Sequence, residues 1–235
     1  MESEVKFVLR EKEAKAFFLY AYFGILSEPH GELKETRYSA CVKCAYRAYL
    51  DMCRTLNVKQ DDLSFAKRYC KSIASKMINS HSVNEMKNNA YSIFYDDKDQ
   101  LRATELEEFL SKSKRKVRND KVFYYGQAQK WINMTIKYLW LIGLIDDSAT
   151  EDLDVPVDRF ILQEIPNEKK SSIPSVPWSV LEKDEYKRIK KVIDECSSSI
   201  NQVPISWECD AWINKAATEA SRDKRKGWLW EEKPE

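Results

Sequence analysis

Glycine and proline are scarce: five and seven residues respectively in a chain of 235. A many-stranded sheet draws its turns from those two residue types, so the shortage favours helices. Histidine occurs only at positions 30 and 81, and the one metal-like spacing, Cys41-Val-Lys-Cys44, has no second close pair. A tetrahedral zinc site takes four ligands at paired spacings, so no structural metal is expected. No apolar run reaches the ~18 residues that would read as a membrane span, and the opening "MESEVKFVLREKEAKAFF" is charged throughout, unlike a secretory leader. The expectation is a cytoplasmic protein (nucleoid-associated if bacterial) whose six cysteines are reduced thiols, most of them small helix-face residues. The net charge of +1 points to no partner until its distribution is considered.

What is present is aromatic and charged: seven Trp, twelve Tyr and nine Phe, with 33% charged residues, the composition of a folded chain and not a disordered one. Apolar residues recur every three or four positions, predicting helices in "EVKFVLREKEAKAFFLYAYFGIL", "TRYSACVKCAYRAYLDMCRTL", "DDLSFAKRYCKSIASKMI" and "SVNEMKNNAYSIFY". The last begins on Ser82 with Glu85 three positions on, a capping-box pattern. From 104 an acidic amphipathic segment runs into a basic one carrying Lys112, Lys114, Arg115, Lys116, Arg118 and Lys121 against the single negative charge of Asp120. A helix is predicted from about 127 to 142, then a polar loop "DDSATEDLD", a short helix starting at Asp158, a Pro- and Ser-containing connector, and two further helices. Strand alternation is weak throughout, so the fold class is all-α.

Chemistry concentrates in "YYGQAQKWINMTIKYLWLIGLIDDSATEDLDVPVDRFIL", residues 124 to 162. A turn whose unpaired N–H groups open a helix suits a phosphate, and basic side chains upstream would add attraction to a nucleic-acid backbone. Lys130 and Asp158 flank the helix. Each also has a plain structural reading. Lys130 would be a solvent-facing residue of a helix whose buried stripe is Trp131, Met134, Ile136, Tyr138 and Leu141, and Asp158 an N-cap.

These residues resemble the helix-hairpin-helix DNA glycosylase superfamily (HhH-GPD). Its hairpin reads Leu-Pro-Gly-x-Gly-x-Lys, and a later Val-Pro-Val-Asp or Val-Asp-Thr-His leads into another helix. "YYGQAQK" sets Gly126 on the first family glycine and Lys130 on the lysine. "DVPVDRFIL" sets Val155, Pro156, Val157 and Asp158 on the second motif. Tyr125 stands where the family has proline, Ala128 replaces the second glycine, and "DDSATEDLD" lengthens the interval between lysine and aspartate.

The resemblance implies a two-lobed helical glycosylase fold with the active site in the interlobe cleft: residues 36–145 as the middle helices, with a hairpin at about 104–142, and 1–30 with 146–235 as the second lobe. It implies Lys130 and Asp158 as catalytic residues. DNA contacts are expected from Gly126, Gln127, Ala128, Lys114, Arg115, Lys116, Arg118 and Lys121, and a base pocket is sought among Tyr124, Tyr125, Trp131 and Trp178. The cysteines of the iron–sulfur branch are absent, so the cluster-free branch that acts on 8-oxoguanine is the nearer one. No cofactor is expected, save that a monovalent cation at the hairpin is compatible with the family. The implied activity is excision of an oxidised purine or a hypermodified, phage-type cytosine from double-stranded DNA by a monomer. Base-excision repair and anti-phage defence are the corresponding settings. A non-catalytic DNA-binding module and a helical protein-interaction domain are the competing readings.

Overall fold

The computed structural model describes residues 11–27, 33–56, 63–96, 110 and 121–222. Among them there is no strand; an isolated bridge joins Ser27 and Leu33. The helices are α1 (Glu11–Phe18), α2 (Arg37–Met52), α3 (Leu63–Ile78), α4 (Val83–Tyr91), α5 (Tyr125–Leu141), α6 (Arg159–Glu164), α7 (Lys183–Ser198) and α8 (Pro204–Arg222). None of them is long and apolar enough to cross a membrane. The segments expected as loops carry 3-10 turns at Asp147–Asp152 and Asn167–Ser172, and Trp178–Val180, expected to open the next helix, is instead a separate 3-10 turn ahead of it.

Local chemistry sets the helix ends. Thr36 Oγ1 accepts from Ser39 N at 3.1 Å to start α2, and Ser82 Oγ accepts from Glu85 N at 3.2 Å to start α4. The Glu85 carboxylate reaches back to His81 N, one residue before the cap. Glu182 N donates to Glu185 Oε2 at 2.9 Å at the start of α7, and α8 opens on Pro204, whose missing N–H is no loss in a first turn. At the end of the π turn Leu19–Phe23 that follows α1, Gly24 adopts φ 67°, left-handed backbone that suits glycine.

Two hydrophobic clusters form. The larger gathers α2, α3, α4 and one side of α5 around Trp131, whose ring lies among Tyr49, Phe65, Tyr69 and Phe94. Its Nε1 donates to Ala45 O at 2.9 Å. The smaller cluster joins Val155, Val157, Ile161, Leu181, Tyr186, Ile189 and Ile193. At the N-terminus, expected with the second lobe, Leu19, Phe23 and Ile25 belong to the larger cluster, and the Tyr22 hydroxyl meets that of Tyr138 on α5 at 3.0 Å, so this segment packs on the middle helices. Ile205 of α8 also reaches the larger cluster.

All the cysteines but Cys53, which opens the 3-10 turn Cys53–Thr55, sit on helices, and most are buried. Burial pushes the Cys41 thiol up to about 12, so it stays protonated.

Candidate functional site

Helix α5 runs between the two clusters and is buried on every side along most of its length. One face, Ala128, Trp131, Ile132 and Leu139, enters the larger cluster. The opposite face, Gly126, Gln129, Lys130, Asn133 and Lys137, recurs at three- and four-residue spacing and meets the C-terminal part of the chain as a polar seam. Lys130 is 4% exposed. The solvent-facing alternative for Lys130 therefore does not hold, and Leu141, placed in the buried stripe, is exposed.

Gln129 fixes the register of the seam. Its Nε2 donates to Val157 O at 2.8 Å and its Oε1 accepts from Val157 N at 3.0 Å, so one carboxamide holds both polar groups of one backbone residue. One position further along each segment, Lys130 Nζ donates to Asp158 Oδ2 at 2.8 Å, and also to Pro156 O at 3.3 Å. Asn133 Nδ2 donates to the Tyr186 hydroxyl at 2.9 Å and reaches Val155 O at 3.4 Å. "VPVD" thus has a physical account: Val155 and Val157 enter the smaller cluster, Pro156 leaves no N–H to satisfy, and Asp158 caps α6.

Asp158 Oδ1 accepts from Phe160 N at 2.8 Å and Ile161 N at 3.1 Å, leaving Oδ2 for Lys130. Burial pushes the Asp158 carboxyl up, but the Lys130 ammonium and the two amides outweigh it and hold the group below its ordinary 3.8. The pair borders a small cleft of about 40 Å³ lined by Asp51, Lys130, Asp158, Arg159, Phe160 and Trp178, room for a few waters. Asp51, not among the expected site residues, comes from α2. It is held by the Tyr138 hydroxyl and by Arg47 Nη2 at 3.3 Å. Further along the seam Lys137 pairs with buried Glu208 of α8, another partner with no sequence signal.

Other expected residues are placed differently. Gly126 N donates to Leu181 O at 2.9 Å, and a Cβ at Gly126 would stand 1.9 Å from Trp178 O. The glycine therefore admits the backbone of 178–181 where an open phosphate nest was expected. Gln127 and Ala128 are buried, and the Gln127 side chain bonds Tyr124 N and Thr55 O. Trp131 and Tyr124 are core residues. Of the four aromatic pocket candidates, Trp178 lines the Lys130 cleft, while Tyr125 lines a different groove beside Tyr91. Lys121 pairs with Glu182 at 2.6 Å. Lys114, Arg115, Lys116 and Arg118, with most of the expected hairpin's first half, lie outside the described residues. Among the described residues no group of three or more His, Cys, Asp or Glu is gathered to hold a metal.

No family model, curated protein or solved structure matches the chain.

Proposed function

We propose that this chain is a DNA glycosylase of the helix-hairpin-helix kind that removes a damaged or modified base, with Lys130 and Asp158 as its catalytic pair. The observation that carries the reading is that pair: a lysine and an aspartate 28 residues apart, joined at 2.8 Å beside a cleft. Breaking an N-glycosidic bond builds positive charge on the sugar. An ionised carboxylate held in place by two helix amides is suited to stabilising it. In the lysine-dependent route the Lys130 ammonium gives up a proton, which the departing base takes up. The Nζ lone pair then forms the bond to C1′ as the C1′–N bond breaks and its electrons leave with the base. Ring opening gives a Schiff base, from which β-elimination cleaves the strand. In the monofunctional route water attacks instead.

The target base must leave the duplex to be reached, and the cleft is too small to take it. Entry of a base therefore requires the cleft to widen, and Trp178, which lines it together with the ion pair's own residues, is the side chain proposed to move. An oxidised purine and a hypermodified cytosine are the two substrate classes to test, with base-excision repair and anti-phage defence as their settings.

Borohydride trapping on duplexes carrying oxidised, alkylated, deaminated or glucosylated bases tests the reading. A covalent adduct with wild type that disappears in Lys130→Ala supports it and identifies the base. Abasic sites without an adduct, lost in Asp158→Asn, assign the water route. Neither product on any base rejects catalysis and leaves the non-catalytic helical module. Of the two non-catalytic alternatives the helical protein-interaction domain is the one favoured, because the Gly126 amide at the start of α5, which a DNA-binding hairpin would offer to phosphate, is already occupied by Leu181 O.

A further inference from the structure

On another part of the surface from the Lys130 cleft, α4, the turn after it and the start of α5 enclose a groove of about 360 Å³, within the ~300–1,000 Å³ usual for small-ligand sites. Its aromatic wall is a stack. Tyr91 and Tyr125 lie ring on ring, 5.0 Å between centroids and 4° from parallel, and Tyr95 stands 5.8 Å from Tyr125. Exposed Asn84 and Asn88 line the same groove. Asn84 uses its Nδ2 on Asp152 Oδ1 at 2.8 Å.

The charges there are largely matched. Lys87 Nζ donates to Asp152 O at 2.8 Å and pairs with Asp154 at 3.2 Å, while Lys190 takes the other Asp154 oxygen at 3.2 Å. A phosphate at Lys87 would have to displace Asp154, and Lys183 and Asp96, which also line the groove, have interactions of their own. Burial keeps the Tyr91 hydroxyl protonated well above its ordinary value, so it remains neutral. The lining therefore suits a flat, uncharged ring with hydrogen-bonding edges: it extends an existing stack of rings, and carboxamides offer both a donor and an acceptor to such an edge.

We propose that this groove holds one unpaired nucleobase, stacked against the Tyr91–Tyr125 pair and edge-bonded by Asn88. The base arrives either on single-stranded DNA or as a free nucleotide. The inference stands whether or not Lys130 and Asp158 are catalytic. It also gives Tyr125 a stacking role at a place separate from the lysine.

The test is fluorescence anisotropy of a short labelled single strand with the full chain, competed by its duplex, by deoxyadenosine monophosphate and by glucose. Tyr125→Leu is expected to weaken the single strand about tenfold, the loss of one stacked base, and Asn88→Ala about threefold. Asn88 is exposed, so its truncation reads the contact without a packing change. Competition by the nucleotide identifies a free ligand as sufficient; binding of the strand alone identifies DNA as the source. The proposal is overturned if both variants bind as wild type, if neither strand nor nucleotide binds, or if glucose competes and the nucleotide does not. Trapping on the same preparations separates the two readings: no adduct with groove binding intact removes only the catalytic one.

Discussion

At Lys130 and Asp158, removing either side chain leaves the other's charge buried beside α5. Breaking a buried pair in this way costs about 3–5 kcal/mol. Asp158→Ala is expected toward the upper end, since it also removes the α6 cap, itself worth about 1 kcal/mol. The double variant Lys130→Met/Asp158→Asn should lose less than the sum of the singles, because no unpaired charge remains. Urea unfolding of the four proteins checks this, and additive losses would mean the residues do not share an ion pair in solution. Their pH dependence has a definite sign. The folded Asp158 carboxyl lies below its ordinary 3.8, so its contribution is complete above that value and is lost as pH falls through the lower folded value. Thermal unfolding between neutral and strongly acid pH should show wild type losing more stability than Asp158→Asn in that acid range. Equal losses in the two proteins would refute the assignment.

At the scale of elements, α5 and the 178–181 connector are in backbone contact, and the contact has no space for a methyl group at Gly126. Gly126→Ala must push the connector away, an overpacking expected to destabilise by about 1–3 kcal/mol and to change the emission of Trp178. A variant as stable as wild type with unchanged emission would show that the connector does not rest there. This is also where sequence reading reached its limit. That Lys130 and Asp158 act together was an expectation of the family resemblance alone. The α5 period and the Asp158 cap were legible, because each depends on residues within one short stretch. Which face of α5 met water was not. Lys130, Asn133 and Lys137 look like a wet face until Asp158, Tyr186 and Glu208 are brought to them. The glycine likewise looked like a phosphate turn because its neighbour in space lies about fifty residues further along.

For the whole molecule, one helix belongs to both hydrophobic clusters, so neither cluster can open without exposing a face of α5. Unfolding is therefore expected as a single transition. Far-ultraviolet circular dichroism and tryptophan emission should trace one denaturation curve, and two separated midpoints would show that the clusters melt independently. Of the fold expectation, the all-α class is what the sequence made legible and the structure bears out. Periodicity gives helices, but their distribution between clusters depends on contacts such as Tyr22 to Tyr138, 116 residues apart.

The polar seam of α5 has a consequence for how the chain is made. On a ribosome the larger cluster can gather around Trp131 as soon as α5 emerges, whereas Glu208 follows Lys137 by 71 residues. At synthesis rates of about 5–20 residues per second the seam waits several seconds for its partners. A lysine- and asparagine-bearing face can spend that interval in water, where an apolar face would invite aggregation. The same charges that are costly to bury in the finished protein keep its nascent half soluble.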